Sequence, residues 1–162
     1  MLIIQGSHRK TGNTAAAVKA LAERLDAQTI HLADLKLAQF SYAGTTDDDF
    51  VQVIQKMIKH RKVVWATPVY WYTMSGMMKV LLDRISDLLK WNKDLGRQLR
   101  GLEMHIISVS EHDDVPQEFS NPFRMSAEYL GWTFGTYCHL YGKSGLLSAE
   151  SMKRLDAFAD QI

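Results

Sequence analysis

Cysteine is nearly absent, Cys138 being the only one among 162 residues. One thiol closes no internal disulfide, and it cannot supply the several thiolates that a structural zinc site or an iron–sulfur cluster needs. Lying within an apolar run, Cys138 reads as a small buried hydrophobe rather than a nucleophile. Long apolar runs are missing too, since none approaches the roughly 18 to 20 residues of a membrane span. Met1 to Gly6 is too short for a signal peptide and lacks a basic leader, so it reads as a first strand. Nor is one charge in excess, because 19 basic residues face 18 acidic ones for a formal net charge of +1. That near-balance counts against nucleic acid and anionic membranes as partners. Proline is limited to three residues and the apolar fraction is 46%, far from the compositions of disordered or fibrous chains. A cytoplasmic, disulfide-free protein without a membrane partner is expected, and residues 1–162 have the length of one domain.

The chain does contain short apolar runs alternating with longer segments of helical period, the pattern of βαβ units that build a parallel sheet. The runs are Leu2 to Gln5, Gln28 to Leu32, Val63 to Ala66, Met104 to Val109 and Thr133 to Leu140. Ile3-Ile4, Val63-Val64-Trp65 and Ile106-Ile107 are continuously apolar, as strands buried on both faces are. The fifth run is mixed, as an edge would be. Ala15, Val18, Leu21, Ala22 and Leu25 recur at helical spacing on a helix that begins near Asn13. Asp47-Asp48-Asp49 offers N-caps, in preference to a metal site, for the stripe Phe50, Val53, Ile54, Met57 and Ile58. Met78, Leu81, Leu82, Ile85, Leu88 and Leu89 mark a third helix, with Lys79, Asp83, Arg84, Asp87 and Lys90 on its other side. A fourth helix is expected from Ser120 or Pro122 through Ala127 and Leu130. Met152, Leu155, Ala159 and Ile162 place the last one. Ala33 to Thr46, Trp91 to Leu102 and Glu111 to Ser120 read as long irregular stretches, which in a compact domain are more often functional than decorative.

In an open parallel sheet ligands bind beyond the carboxyl ends of the strands, where the strand order reverses. The loops after the first, third and fourth strands are therefore decisive. The first is Gly6-Ser7-His8-Arg9-Lys10-Thr11-Gly12-Asn13-Thr14, which gathers hydroxyls, an amide, two glycines and two cations ahead of a helix. Small residues admit backbone N–H groups to an anion and the helix start adds partial positive charge, so a phosphate is expected among Ser7, Asn13 and Thr14. The same residues could simply turn the chain and cap the helix. Lys10-Thr11 lacks the spaced glycines of a P-loop, and no G-x-G-x-x-G occurs, which argues against ATP and firmly held NAD. The third strand runs into Thr67-Pro68-Val69-Tyr70-Trp71-Tyr72-Thr73-Met74-Ser75-Gly76, where proline stops the strand and three aromatics follow. They cannot all enter the core, and a planar ligand such as the isoalloxazine of a flavin, or a partner subunit, would cover them. After the fourth strand, Ser108-Val109-Ser110-Glu111-His112-Asp113-Asp114 is polar and acidic. His112 is a candidate proton donor to a reduced flavin or a quinone oxygen, and an exposed, solvated histidine is the plainer reading. No further ligands lie nearby at recognisable spacing, so no metal is expected there.

Taken together, Gly-Ser-x-Arg-x-x-Gly-Asn-Thr, Thr-Pro-Val-Tyr-Trp and Ser-Gly-x-x-Lys-x-x-x-Asp-Arg resemble the NADPH-dependent FMN reductase and quinone reductase branch of the flavodoxin-like superfamily. The matching residues are Gly6, Ser7, Arg9, Gly12, Asn13 and Thr14, then Thr67 to Trp71, then Ser75, Gly76, Lys79, Asp83 and Arg84. The resemblance covers nearly the whole chain. It implies an α/β, flavodoxin-like fold: a five-stranded parallel sheet in the order 2-1-3-4-5 with helices on both faces. It implies FMN as cofactor and NADH or NADPH as co-substrate. Ser7, Arg9, Thr11, Gly12, Asn13 and Thr14 would hold the phosphate, and Pro68, Val69, Tyr70 and Trp71 would wrap the ring. Backbone N–H groups of Val69 to Trp71 would face the flavin N1 side, while Ser110 and Glu111 would complete the pocket. Two departures stand out. Relatives with an iron–sulfur cluster carry cysteines where this chain has Asp34 to Tyr42, and many have a glycine-rich stretch where this chain has Ser108 to Asp114.

The resulting expectation is an FMN-dependent oxidoreductase that passes hydride from NAD(P)H to a quinone, a nitro compound or free flavin. No side-chain nucleophile is required, because the flavin carries the redox chemistry. A flavodoxin-type electron carrier is the alternative, but such carriers are usually strongly acidic, which this chain is not. A flavin-free interaction module would share the scaffold, and the intact phosphate-loop residues speak against it. A homodimer is expected, since Trp71, Tyr72, Met74 and Met77 would otherwise leave an apolar patch near the flavin.

Overall fold

The computed structural model describes residues 1–44 and 47–162. Thr45 and Thr46, at the end of the first irregular stretch, lie outside the described residues. The sheet is built from β1 (Leu2–Gln5), β2 (Gln28–His31), β3 (Lys62–Pro68), β4 (Glu103–Ser110), β5 (Thr133–Lys143) and β6 (Leu146–Leu147). The helices are α1 (Asn13–Leu25), α2 (Phe50–His60), α3 (Gly76–Lys90), α4 (Lys93–Gln98), α5 (Asn121–Leu130) and α6 (Ala149–Gln161). The strand order is β2-β1-β3-β4-β5-β6, parallel from β2 to β5 and antiparallel only where β6 folds back on β5. The parallel order 2-1-3-4-5 is therefore present, and β6 is a sixth strand that sequence periodicity does not announce. The irregular stretch Trp91 to Leu102 contains α4, and short 3₁₀ turns occupy Leu32–Asp34 and Gln117–Ser120. No helix of the described residues is long and apolar enough to cross a membrane.

Alternate residues of a strand point to opposite faces, and here both faces are covered. Leu2, Ile4, Val63, Trp65, Met104 and Ile106 pack under α2, α3 and α5. Ile3, Val64, Ala66, Ile107 and Val109 pack under α1 and α6. Their continuous apolar character follows from this two-sided burial. The α2 stripe of Phe50, Val53, Ile54 and Met57 and the α6 stripe of Leu155, Phe158 and Ala159 close the two layers.

The third helix departs from its expected amphipathic division. Arg84 and Asp87 are buried rather than solvated, with 1% and 8% exposure. Arg84 Nε donates to Asp87 Oδ2 at 2.6 Å, Nη1 donates to Ala38 O at 3.0 Å and to Asp48 Oδ2, and Nη2 donates to Asp48 Oδ1 at 3.3 Å. Asp48 also accepts from the N–H groups of Ala38 and Phe50, and the guanidinium lies 4.6 Å from the Phe50 ring centre. The aspartate run thus opens α2 and also clamps the preceding loop to α3.

A second buried polar group sits where the β4–β5 ladder shifts register between Met104 and Ile106. His105 is 1% exposed, its Nδ1 accepts from Thr136 N at 3.0 Å and its Nε2 donates to Glu103 Oε1 at 2.9 Å. Burial holds this imidazole below its usual range, with Glu103 pulling the other way. The neutral ring is the native form. Its contribution is complete above the unfolded-state value of 6.5 and is lost as pH falls from there towards the folded value. A Cβ at Gly135 would stand 2.4 Å from His105 Cε1. Gly135→Ala is expected to cost about 1–3 kcal/mol by overpacking. His105→Gln is expected to flatten the loss of stability below pH 6.5. Urea denaturation across a pH series checks both.

Candidate active site

The strand order reverses between β1 and β3, because the chain leaves β1 for β2 on one side and then crosses to β3 on the other. The loop after β1 begins with a close approach. Gly6 N donates to Ala66 O at 2.7 Å, and a Cβ on Gly6 would stand 2.7 Å from Met78 Cε. Ser75, buried at the N-cap of α3, donates its hydroxyl to Gly6 O at 2.5 Å and accepts from Met78 N. Ser75 N donates to Thr67 Oγ1 at 3.0 Å, so the loops after β1 and β3 are stitched together below the site. Ser7 is tied internally: Oγ accepts from Gln5 Nε2 at 2.8 Å and donates to Arg9 O at 2.9 Å. It shapes the loop. Lys10 is paired with Asp34 at 2.5 Å, while Arg9 is exposed with no ion-pair partner among the described residues.

Helix α1 starts at Gly12 as N-cap with no side chain capping its first turn. The first N–H groups of a helix have no intrahelical partner, and together with the dipole they form an anion site. Among the described residues no side chain accepts from those donors. Thr14, 4% exposed, lies at the cavity wall in this turn.

The loop after β3 is a tight turn, with Tyr70 N donating to Thr73 O at 2.9 Å and Thr73 N to Tyr70 O at 3.1 Å. Its central residues, Trp71 and Tyr72, have φ of +50° and +62°. Bulky residues in the left-handed region are strained by about 1–2 kcal/mol each, and such strain concentrates at functional surfaces. Trp71 is 93% exposed and Tyr72 69%. Met74, expected in the same patch, is buried instead at 4% and belongs to the core under α3. Val69 N is bonded to Val109 O and Tyr70 N to Thr73 O, so of the three N–H groups assigned to the flavin N1 side only that of Trp71 takes no partner among the described residues.

The third wall follows β4. Ser110 Oγ donates to His112 O at 2.5 Å, and His139 Nε2 donates to the same carbonyl at 3.0 Å. His139 Nδ1 is hydrogen-bonded to Ser108 Oγ at 2.8 Å. Asp113 turns outward to a bidentate pair with Arg154 of α6 at 2.7 and 2.8 Å, which holds its carboxyl below the usual carboxylate range. The loop is thereby pinned from β5 and from α6.

These loops enclose one cavity of about 620 Å³. Of the residues assigned to the cofactor from the sequence, Ser7, Arg9, Thr11, Gly12, Asn13, Thr14, Pro68, Val69, Tyr70, Ser110 and Glu111 line it, while Trp71 and the candidate proton donor His112 stay outside its lining. Val109, Ser144 and Gly145 line it unforeseen. The Ser-Gly pair after the fifth apolar run was the available signal, since such dipeptides mark turns. Uncapped N–H donors beside Arg9 suit a phosphate, and the gap between Pro68–Tyr70 and Ser110–Glu111 suits a flat ring. The residues present fit FMN.

A doubly wound sheet with a cavity at the reversal point, between the start of α1 and the loops after β3 and β4, is the flavodoxin-like arrangement. The chain belongs to the NADPH-dependent FMN reductase family, whose model matches residues 1–132. It is an FMN-dependent NAD(P)H oxidoreductase. A Bacillus subtilis strain 168 protein named as an NAD(P)H-dependent FMN-containing oxidoreductase, YwqN, is 27% identical over 150 residues, covering 82% of each chain. Among solved structures, Trp repressor binding protein from Bacillus subtilis superposes with a TM-score of 0.80 at 22% identity, covering 99% of this chain and 96% of the other. An NADPH-quinone reductase from P. pentosaceus superposes with a TM-score of 0.70 at 14% identity, covering 98% and 94%. At these identities the two structures attest the fold.

Proposed function

We propose that this chain transfers hydride from NADPH or NADH to a small-molecule acceptor, a quinone, a nitro compound or free flavin, at the mouth of the cavity described above. The carrying observation is convergence: the uncapped start of α1, the Pro68–Tyr70 turn and the Ser110–Glu111 wall meet on one cavity. Bound FMN supplies the two-electron chemistry. The protein's part is to hold and to orient. Backbone N–H groups of Asn13 and Thr14 and the Arg9 guanidinium grip the phosphate; Thr11 and Gly12 shape the turn around it, with Ser7 fixing the loop from beneath. Pro68, Val69 and Tyr70 would hold one side of the ring, and Ser110 and Glu111 would complete the pocket opposite. Donor and acceptor use the same open face in turn, which gives ping-pong kinetics.

A near-neutral net charge favours this reading over an electron carrier steered to protein partners. Anaerobic stopped-flow mixing of the FMN-loaded protein with NADPH and NADH tests it. Flavin bleaching within the mixing experiment, followed by recovery with an acceptor panel, is the expected result. Reduction only through a partner protein would select the carrier.

The second copy expected from the sequence keeps its support in the exposed, strained Trp71-Tyr72 pair beside Tyr70. Sedimentation showing only monomer at micromolar concentration would remove it.

A further inference from the structure

Asn13 stands in the phosphate loop, yet both ends of its carboxamide are engaged far away in the sequence. Nδ2 donates to Gly142 O at 2.6 Å, and Oδ1 accepts from Gly145 N at 2.8 Å. Both partners belong to the β5–β6 hairpin. The turn of that hairpin, Ser144-Gly145, has φ of +54° and +82°, the two left-handed residues of a type I′ turn. Contact with the phosphate loop is close, since a Cβ on Gly145 would stand 2.6 Å from Thr11 O. Within the hairpin, a Cβ on Gly142 would stand 2.2 Å from Leu146 O. Ser144 and Gly145 line the cavity next to Thr11, Gly12 and Asn13. Ser144 is itself exposed and is held in a backbone region that serine rarely adopts.

We propose that the Ser144-Gly145 turn is a latch closing the phosphate-and-ribityl end of the FMN site, with the Asn13 side chain as its catch. This rests on the FMN reading above. Position 13 then meets the phosphate through its backbone N–H, while its carboxamide positions the turn. The ligand is a phosphate ester carried on a polyol chain. Ordering of the hairpin and occupancy of the phosphate site are coupled through the two Asn13 hydrogen bonds.

The test measures FMN Kd by quenching of flavin fluorescence, together with hydrogen exchange at the Gly145 amide. Ser144→Pro forces φ near −65° and breaks the turn at its exposed tip while leaving Asn13 in place. Its Kd is expected to rise about tenfold, as is that of Asn13→Ala, from the loss of two modest hydrogen bonds. The double variant is expected to be no weaker than the worse single one, because both remove the same coupling. Ser144→Asn, which tolerates the left-handed region, is expected to rescue binding to within about twofold of the parent. Gly145 exchange is expected to slow when FMN binds and to quicken in Asn13→Ala, with or without flavin. An unchanged Kd in Ser144→Pro beside a raised Kd in Asn13→Ala overturns the latch and makes the carboxamide a direct phosphate ligand. Should Ser144→Pro not fold, unchanged Gly145 exchange across the parent, its FMN complex and Asn13→Ala overturns it equally. Failure of the parent protein to bind FMN sinks the flavin reading itself, which is a different outcome from either.

Discussion

Replacing Arg84 with methionine is expected to cost about 3–5 kcal/mol of folding stability, read as a lower urea midpoint. Methionine fills much of the volume but leaves Asp48 and Asp87 as carboxylates without a cation, their side chains only 3% and 11% exposed. The worth of the intact cluster is smaller than the cost of breaking it, since most of the loss is the desolvation of the charges left behind. Its pH dependence is a signature. In the native protein burial works to raise the Asp48 carboxyl, but hydrogen bonds from Arg84 and from the Ala38 and Phe50 N–H groups outweigh it and hold the group below its ordinary 3.8. That contribution is complete above 3.8 and is lost as pH falls through the folded value. Without Arg84 only burial and two N–H groups act on Asp48, so it takes up a proton at higher pH. The deficit of the variant therefore narrows on acidification. Arg84→Met combined with Asp48→Asn is expected to lose less than Arg84→Met alone. A deficit under about 1 kcal/mol, typical of a solvated surface pair, would show that the cluster is not the clamp described here.

Arg84 also marks where sequence reasoning stops. Periodicity assigns charged residues of a helix to its solvent face, and Lys79, Asp83 and Lys90 obey, each being exposed or partly so. Nothing in the spacing of α3 announces that Asp48, 36 positions upstream, supplies a counter-charge inside the protein. The strands were legible because two-sided burial writes itself as an unbroken apolar run, as in Val63-Val64-Trp65. The loop proposed for the phosphate was conspicuous because its polar chemistry is contiguous from Ser7 to Thr14. The Ser144-Gly145 turn was not, since Asn13 and Gly142 are 129 residues apart and β6 is only two residues long. For the aromatic run, the sequence required some surface to be covered. Only the backbone, left-handed at Trp71 and Tyr72, shows that Tyr70 lines the cavity while Trp71 points outward.

Adding FMN at about 100 times its Kd is expected to stabilise the protein by about 2.7 kcal/mol, by mass action on the native state alone. For a chain of this length that is a rise of about 5–10 °C in Tm. Riboflavin at the same concentration shares the ring and ribityl chain but carries no phosphate. It forfeits the charge-assisted hydrogen bonds at the start of α1, each worth about 1.5–3 kcal/mol, and is expected to stabilise by less than about 1 kcal/mol. Arg9 and the uncapped N–H groups of α1 are the two sources proposed for that difference, and substitution separates them. Arg9→Ala removes the cation and leaves the helix start intact, so FMN should bind about 10- to 100-fold more weakly while riboflavin binding stays nearly constant. Raising salt should weaken FMN binding to the parent protein more than to Arg9→Ala, because an exposed guanidinium is screened while hydrogen bonds at a helix start are less so. If FMN and riboflavin raised Tm equally, the loop from Ser7 to Thr14 would be a turn and a helix start rather than a phosphate site, and the cavity would owe its affinity to the ring-binding walls alone.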